Sequence, residues 1–327
     1  MDNSSKKPVA SISISGEITL NLHSLNNEGG EGNQIMTRQL TILDKYGIEH
    51  TVNGISGDMF KHIHAGHMVN YCVENNINLS TYSKKLDPNR ISAKELKELA
   101  GGKDQTQKDV VDAIIQSCAI CDVHGMLMTD KVGENGSSTN TPRKSTIEFA
   151  WTVGLPDKNN TETYLHTKVV ADAGAKGGAT GSNEGQNIFH RPANHGAYAF
   201  ICNIDVYRIG LNDISREYAI SDLERDKRYK AVVQSLLSTI LNPKGAMTST
   251  QKPHITDFKG VVSISHKLIP APTISAINSD YKDEIQTIAK NLNKLEKDAI
   301  EIDQFDGLGQ LSEILTSLYY EEPYKLG

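Results

Sequence analysis

The sequence predicts an α+β fold, a modified ferredoxin-like or RRM-like core that carries large insertions. Strict alternation of apolar and polar residues indicates strands, and apolar residues at helical spacing indicate helices between them. Along the chain the elements follow the order strand, helix, strand, strand, helix, strand, which is the ferredoxin-like pattern. RNA-recognition domains use this frame, but it supports many activities, so architecture alone predicts no function.

The clearest strand is 9–23, where apolar residues from Ala10 to Leu22 alternate with serines and other polar residues. A period of two over this length predicts a strand with one buried face. The remaining strands are predicted at 146–153, 197–209 and 260–266. Helices are predicted at 56–73, with Ser56 as N-cap, at 221–241, ending before Pro243, and at about 280–299.

Two long insertions interrupt this core. Residues 76–145 lie between the first helix and the second strand, and residues 155–196 join the second and third strands. The second insertion links adjacent antiparallel strands, so we expect it to project from one edge of the sheet as a hairpin. The core then comprises 1–75, 146–154 and 197–272, followed by an acidic helical C-terminal segment, 273–327.

Composition excludes several protein classes. The 327 residues are 38% hydrophobic and 23% charged, as in a globular protein. No apolar run reaches the roughly 18 residues of a membrane-spanning helix, and the first residues carry no apolar signal region. We therefore expect a cytoplasmic protein without a membrane partner. Its four cysteines are too few for a disulfide framework and should be reduced there.

The net charge of −6 is concentrated at the C-terminus. Residues 273–327 hold eleven acidic and five basic residues, so the rest of the chain is balanced. Binding of a polyanion depends on the local field, so a balanced body can still carry a basic groove. A mildly acidic protein without a polyanion partner is the other interpretation.

The stretch "GISGDMFKHIHAGHM" places Lys61, His62, His64 and His67 on one predicted helix. Three interpretations are open: a metal site, an ordinary solvated helix face, and a phosphate-contacting surface. A zinc site needs further ligands and a placed carboxylate, and no His-Glu-x-x-His motif is present. A fixed cation near a helix N-terminus favours phosphate contact.

The segment "CAICDVH" holds Cys118, Cys121 and His124, which could be half of a zinc knuckle. No second pair lies at knuckle spacing. The favoured interpretation is therefore buried structure, since free cysteines usually behave as small buried hydrophobic residues.

Basic residues recur just before the predicted strands. Arg143 and Lys144 precede the second strand, Arg191 precedes the third, and Lys244 and Lys252 precede the fourth. Each cluster alone is ordinary surface, but several on one frame resemble a phosphate track. No Walker loop, G-x-S-x-G motif or paired carboxylates suggest catalysis.

Several ordered blocks resemble the DevR-like CRISPR-associated family, the guide-RNA-binding backbone subunit of type I Cascade complexes of the I-A and I-B kind. The blocks span about residues 9 to 270: "SISISGEITLNLHSLN", "ISGDMFKHIHAGHM", "CAICDVHGML", "RKSTIEFAWTVGLP", "IFHRPANHGAYAFICNIDVYRIG" and "NPKGA". The resemblance implies a palm with fingers and a thumb, corresponding here to the core, 76–145 and 155–196. It also implies polymerisation along one CRISPR RNA, with no catalytic residues and no cofactor.

By this resemblance Lys61 stands at the family's RNA-contacting lysine, and Ser56 and Arg38 match polar and basic palm positions. Ile188 and Phe189 are candidates for the thumb residue that displaces a base. The implied partners are CRISPR RNA, target DNA through the guide, neighbouring copies in a helical filament, and other Cascade subunits. The full set of predicted RNA-binding residues is Asn21, His23, Arg38, Ser56, Lys61, His62, His64, Arg143, Lys144, Arg191, Lys244, Thr248 and Lys252.

A subunit that binds any guide should grip phosphate and sugar and leave the base edges free. The favoured hypothesis is thus a non-catalytic, self-assembling RNA-binding subunit. The alternative is a metal-dependent RNA-processing nuclease that uses the histidines of the first helix together with the Cys118–His124 segment. A transcriptional regulator is a third, weaker hypothesis.

Overall fold

A mostly antiparallel sheet with helices packed on it forms the protein. The computed structural model describes residues 6–26, 29–31, 34–100, 106–130, 132, 140–169 and 186–327. Within these ranges it is a mixed α/β protein with seven α-helices.

The strands and helices are numbered separately in chain order. The strands are β1 (Pro8–Val9), β2 (Ser11–His23), β3 (Gly30–Glu31), β4 (Gln34–Ile35), β5 (Gln39–Leu43), β6 (Glu49–Ile55), β7 (Met126–Met128), β8 (Thr141–Arg143), β9 (Ile147–Phe149), β10 (Thr152–Val169), β11 (Gln186–Ile204), β12 (His254–Ser265), β13 (Ile300–Asp306) and β14 (Glu322–Pro323). The helices are α1 (Gly57–Glu74), α2 (Ala93–Ala100), α3 (Gln107–Ser117), α4 (Ala119–His124), α5 (Asp222–Leu241), α6 (Tyr281–Leu295) and α7 (Leu308–Tyr320).

The main sheet has the order β13-β12-β2-β11-β10-β6-β5, and neighbours along this path are antiparallel. The four predicted strands correspond to β2, β9 with β10, β11, and β12. Numbered by chain position, they lie in the order fourth, first, third, second. The two core helices, α1 and α5, pack on each other and contribute to the largest of three hydrophobic cores among the described residues.

Strand β2 lies at the centre and is buried on both faces. Its apolar face, including Ile12 and Ile14, packs in the largest core. Its serine face is covered by residues 271–274: the Ser13 hydroxyl donates to the Ala271 carbonyl at 3.1 Å, and the Ser15 and Thr273 hydroxyls are 2.9 Å apart. The prediction of a single buried face was therefore wrong, because serine hydroxyls satisfied by backbone and side chain can be buried.

The C-terminal segment contributes a strand to the main sheet in addition to its helices. Beyond the predicted helix, present as α6, the chain forms β13, which pairs with β12, and α7. Tyr281 and Ile285 of α6 pack in a second core with Val261 of β12. The sheet thus lies between two layers, and the description of 273–327 as helical missed its edge strand.

Strands β10 and β11 continue the core sheet into the second insertion. Their antiparallel pairing extends from Val153 and Ala199 to Val169 and Gln186, with a shift of register between Gly154 and Asn159. The expected antiparallel partnership is thus present, and both strands are longer than the core segments predicted from the sequence. The β5–β6 pair was not predicted at all.

All four cysteines are free and buried. Among the described residues, no helix combines the length and the apolar character that crossing a membrane requires.

Substitution of Phe305 tests whether β13 packs as part of the main sheet. The Phe305 ring is buried and meets Phe258 edge-to-face at 5.1 Å. We expect Phe305→Ala to lower the free energy of unfolding by about 3–5 kcal/mol, because a cavity remains in the core. The neighbouring exposed Gln304→Ala is the control and should change it by less than about 0.5 kcal/mol. Equal urea midpoints for the two variants would contradict this placement.

Candidate nucleic-acid interface

Helix α1 begins at a well-defined cap. Ser56 is its N-cap, and its hydroxyl accepts the Met59 N–H at 3.2 Å. The Asn26 side chain holds the preceding turn: its oxygen accepts the Ser56 N–H at 3.0 Å and its nitrogen donates to the Gly54 carbonyl at 2.6 Å. The start of α1 is thereby fixed to the end of β2, as a rigid contact surface requires.

The histidines of α1 diverge. His62 is exposed, whereas His67 is half-buried and hydrogen-bonds the Asn242 carbonyl at 3.0 Å. His64 is fully buried, with Nε2 3.2 Å from the Val232 carbonyl and Nδ1 2.9 Å from Nε2 of His124. The prediction that His64 contacts RNA is corrected, because this side chain faces the core.

The His64–His124 pair is neutral. A carbonyl accepts only from an N–H, so His64 carries its proton on Nε2 and its Nδ1 accepts from His124. This leaves Nδ1 of His124 as a buried acceptor without a partner among the described residues. Burial lowers the pKa of His64 to about 4 and holds the pKa of His124 well below its usual range.

The Cys-x-x-Cys pair is packed against Ser83. The Cys118 thiol caps α4, accepting the Cys121 N–H at 3.3 Å and donating to the Ser83 hydroxyl at 3.2 Å. His124 turns to His64 instead. In the described part of the chain no three His, Cys, Asp or Glu residues converge to hold a metal ion. The site that the nuclease hypothesis requires is therefore not formed by these residues.

Arg143 is a buried structural residue. Its guanidinium bonds the Asp122 carboxylate at 2.6 Å, with both side chains fully buried, and the Asp213 carboxylate at 2.7 Å. Three backbone carbonyls accept its remaining N–H groups. The prediction of an RNA contact at Arg143 is corrected, whereas its neighbour Lys144 is exposed.

His23 is also buried. Leu22 adopts a left-handed backbone conformation with φ 53°, which breaks the two-residue period at the end of β2. Leu22 is consequently 46% exposed, and His23 turns inward to the Tyr198 hydroxyl at 3.0 Å. Burial lowers the pKa of His23 to about 3. We correct the predicted RNA contact at His23; Asn21 remains half-buried opposite His254.

The loop 242–254 presents lysines on a fixed backbone. The Ala246 N–H donates to the Leu25 carbonyl at 2.9 Å, and the Gln251 side chain donates to the Pro192 carbonyl at 3.0 Å. These bonds join the loop to the end of β2 and to β11. The side chains of Lys244 and Lys252 are exposed, and Thr248 is half-buried.

Aromatic and cationic groups line one face of the β10–β11 hairpin. The Arg191 guanidinium lies 4.8 Å from the Phe189 ring centre, and His166 stacks on Phe189 at 5.6 Å. The side chain of Ile188, the residue before Phe189, lies on the opposite face, because successive side chains of a strand point to alternate faces. Arg38 lies over the Trp151 ring at 5.5 Å.

Residues 14–286 match the model of the family described as CRISPR-associated negative auto-regulator DevR/Csa2. The chain belongs to this family. The resemblance noted in the sequence is thereby confirmed, and the protein is CRISPR-associated.

Relatives of this DevR/Csa2-family protein include the CRISPR-associated protein Cas7/Cst2/DevR of Methanocaldococcus jannaschii. It is 27% identical over 310 residues, covering 90% of this chain and 92% of the relative. A chain of a CRISPR RNA-guided surveillance complex in a pre-nicking state is similar at TM-score 0.47 and 11% identity, covering 94% and 99% of the two chains. Csc2 of Thermofilum pendens is similar at TM-score 0.38 and 13% identity, covering 95% and 82%.

Arg90 is a candidate site residue that was not predicted from the sequence. Arg90 lies in the first insertion, yet it lines one pocket with Lys61 and His62 of α1. Nothing in "DPNRIS" distinguishes this arginine from an ordinary turn residue. Only the contact between the insertion and α1 makes it a candidate.

Substitution of the buried Arg143 should destabilise the fold, whereas substitution of its exposed neighbour Lys144 should not. Arg143→Met leaves the buried Asp122 carboxylate with one arginine partner, Arg228 at 3.0 Å. We expect the free energy of unfolding in urea to fall by about 3–5 kcal/mol. The adjacent exposed Lys144→Met should change it by less than about 0.5 kcal/mol. A destabilisation of similar size in both variants would contradict the buried role of Arg143.

The buried histidines predict acid sensitivity. In the unfolded chain each imidazole titrates near about 6.5, above the pKa values of His23 and His64 in the fold. Between about pH 4 and pH 6.5 the unfolded chain binds more protons, so stability falls as the pH is lowered. His23→Gln should reduce this slope by about 1.4 kcal/mol per pH unit, measured by urea unfolding. The matched control is the exposed His62→Gln. A wild-type slope in His23→Gln would contradict a neutral, buried imidazole.

Proposed function

We propose that the protein is a non-catalytic, CRISPR RNA-binding backbone subunit of a type I Cascade complex. It polymerises along the guide as a helical filament and presents the guide bases for pairing with target DNA. Its partners are the guide, neighbouring copies of itself and other Cascade subunits. Membership of the DevR/Csa2 family and the similarity to Cas7/Cst2/DevR of Methanocaldococcus jannaschii support this proposal.

The sheet order supports a modified RRM-like core, or palm. Strands β12, β2, β11 and β10 lie side by side in the antiparallel order of a ferredoxin-like sheet, with α1 and α5 on one face. In this proposal the first insertion forms the fingers. The extended β10–β11 pair forms the thumb, whose residues 170–185 lie outside the described ranges.

Because one face of the sheet is covered, we expect the protein to hold RNA through phosphate and sugar contacts and not by base stacking on the sheet. RNA-recognition domains stack bases on the open face of their sheet. Here residues 271–274 and α6 occupy that face, so RNA contacts fall to the loops and helix ends. Contacts of this kind reach phosphate and sugar and leave the base edges free, as a guide-presenting subunit needs.

The observation that carries the proposal is the fixed lysine loop. Lys244 and Lys252 project from a backbone bonded to β2 and β11, beside the hairpin that carries Arg191. No acidic residue among the described ones forms an ion pair with either lysine, so their charge is available to a polyanion. The accessible members of the predicted RNA-binding set are Asn21, Arg38, Ser56, Lys61, His62, Lys144, Arg191, Lys244, Thr248 and Lys252.

Between the two candidate wedges, Ile188 is the better placed. Phe189 is engaged on both sides, by the His166 ring and the Arg191 guanidinium. Ile188 is 39% exposed on the other face and is free of such stacking. An apolar side chain presented at a hairpin face is suited to separating neighbouring bases.

RNA binding should depend on salt and tolerate any sequence. We expect log affinity for single-stranded RNA to fall with log salt at about −0.7 per neutralised phosphate. Lys244→Gln combined with Lys252→Gln should make the slope shallower by about 1.4, equally for two unrelated RNAs, as measured by fluorescence anisotropy. Lys290→Gln on α6, behind the covered face, is the matched control.

Three outcomes would overturn the proposal. The first is no binding of guide transcripts at low salt, and the second is a preference for duplex DNA, which would favour a regulator. The third is RNA cleavage that a chelator abolishes, which would favour the nuclease.

A further inference from the structure

Lys61 and Arg90 converge on one pocket of about 200 Å³ between α1 and the first insertion. Lys61 is half-buried and, among the described residues, has neither a hydrogen-bond partner nor an ion pair. Arg90 donates from Nη1 to the Gly125 carbonyl at 2.6 Å, and no carboxylate of the described chain lies within ion-pair distance of its guanidinium. Two partly buried cations that no carboxylate of the described residues bonds directly form a candidate anion site.

The electrostatics support this interpretation. Burial lowers the pKa of the Lys61 ammonium, and the neighbouring Arg90 charge lowers it further, while the Asp58 and Glu148 carboxylates offset part of this effect. Burial also lowers the pKa of Arg90. Holding two like charges together in a partly desolvated pocket is unfavourable unless an opposite charge joins them.

The position of Arg90 is built by its surroundings. Its backbone is left-handed, with φ 60°, a conformation that costs about 1 kcal/mol or more for a residue with a side chain. The hydroxyls of Ser80 and Ser83 both donate to the Arg90 carbonyl and hold it there. The side chain is then fixed at its far end by Gly125. Such constraint of a cation is typical of a binding residue.

Two acidic residues line the pocket, Asp58 and Asp87, and neither forms an ion pair with these cations. Asp58 is exposed on the first turn of α1. The Asp87 carboxylate accepts the Asn89 N–H at 2.8 Å, which ties it to its own turn. Both lie at the rim and weaken the positive field of the pocket, so their removal should tighten anion binding.

We propose that Arg90 and Lys61 together bind a single phosphate group, with Arg90 offering a planar fork and Lys61 a point charge. Exposed His62 can donate a third hydrogen bond at the rim. The proposal rests on the proposed function in taking that phosphate from the RNA backbone. It assigns an RNA-contacting role to a residue of the first insertion, so the insertion and α1 grip the guide jointly.

A double-mutant cycle tests whether one phosphate is shared. Arg90→Met and Lys61→Met should each weaken RNA binding roughly tenfold at fixed salt and make the salt slope shallower by about 0.7. In the double variant the slope of log affinity against log salt should also become shallower by only about 0.7, because both side chains hold the same phosphate. The proposal would be overturned if the salt slope of the double variant became shallower by about 1.4, or if Arg90→Met left the salt slope unchanged.

Controls separate binding from folding. Arg90→Lys keeps the charge and should keep the wild-type slope, while Lys290→Met removes a charge on α6 and should change nothing. Asp87→Asn retains the oxygen that accepts the Asn89 N–H and should strengthen binding two- to threefold, on the order of 0.5 kcal/mol. Weakened binding in Asp87→Asn would argue against an anion site.

Inorganic phosphate supplies a readout that is independent of RNA. Millimolar phosphate should raise the melting temperature of the wild-type protein at constant ionic strength, and Arg90→Met and the double variant should lose this increase. If phosphate stabilises the protein but RNA does not bind, the pocket stands and the proposed function fails. If RNA binds with an unchanged slope in Arg90→Met and phosphate has no effect, the pocket fails and the proposed function stands.

Discussion

The packing of residues 271–274 against the serine face of β2 is the constraint on which the rest of the structure depends. Hydrogen bonds from Ser13 and Ser15 fix this segment across the centre of the sheet. They position α6 over the second core and allow β13 to extend the edge beside β12. Because both faces of β2 at the centre of the sheet are then occupied, we expect recognition at the sheet edges, the β10–β11 hairpin, the loops and the helix ends.

This arrangement reconciles the excess negative charge of the protein with the proposed binding of RNA. The excess of acidic residues lies in 273–327, whereas three lysines of the proposed RNA-binding set, Lys61, Lys244 and Lys252, lie on α1 and on the loop 242–254. Binding responds to the local field, so the two regions need not conflict. The buried Asp122 carboxylate attaches the first insertion to α5 through Arg228, and Arg143 of the insertion bonds Asp213.

Periodicity predicted the elements well, since β2, α1 and α5 lie close to their expected bounds. It could not predict which polar residues are buried, because burial of a serine or an arginine depends on a partner distant in sequence. Arg143 and Lys144 look alike in the sequence, yet Asp122 draws one inward and leaves the other exposed. The stretch "IEIDQFD" of β13 also alternates apolar and polar residues, a pattern that could have predicted this strand.

Lysine footprinting by mass spectrometry tests the central claim most directly. The protein is acetylated with and without bound single-stranded RNA, and the reactivity of each lysine is compared. We expect RNA to protect Lys61, Lys244 and Lys252, while Lys282 and Lys290 on α6 stay equally reactive. Protection of the α6 lysines with unchanged reactivity at Lys244 and Lys252 would place the RNA on the covered side of the sheet and contradict the account.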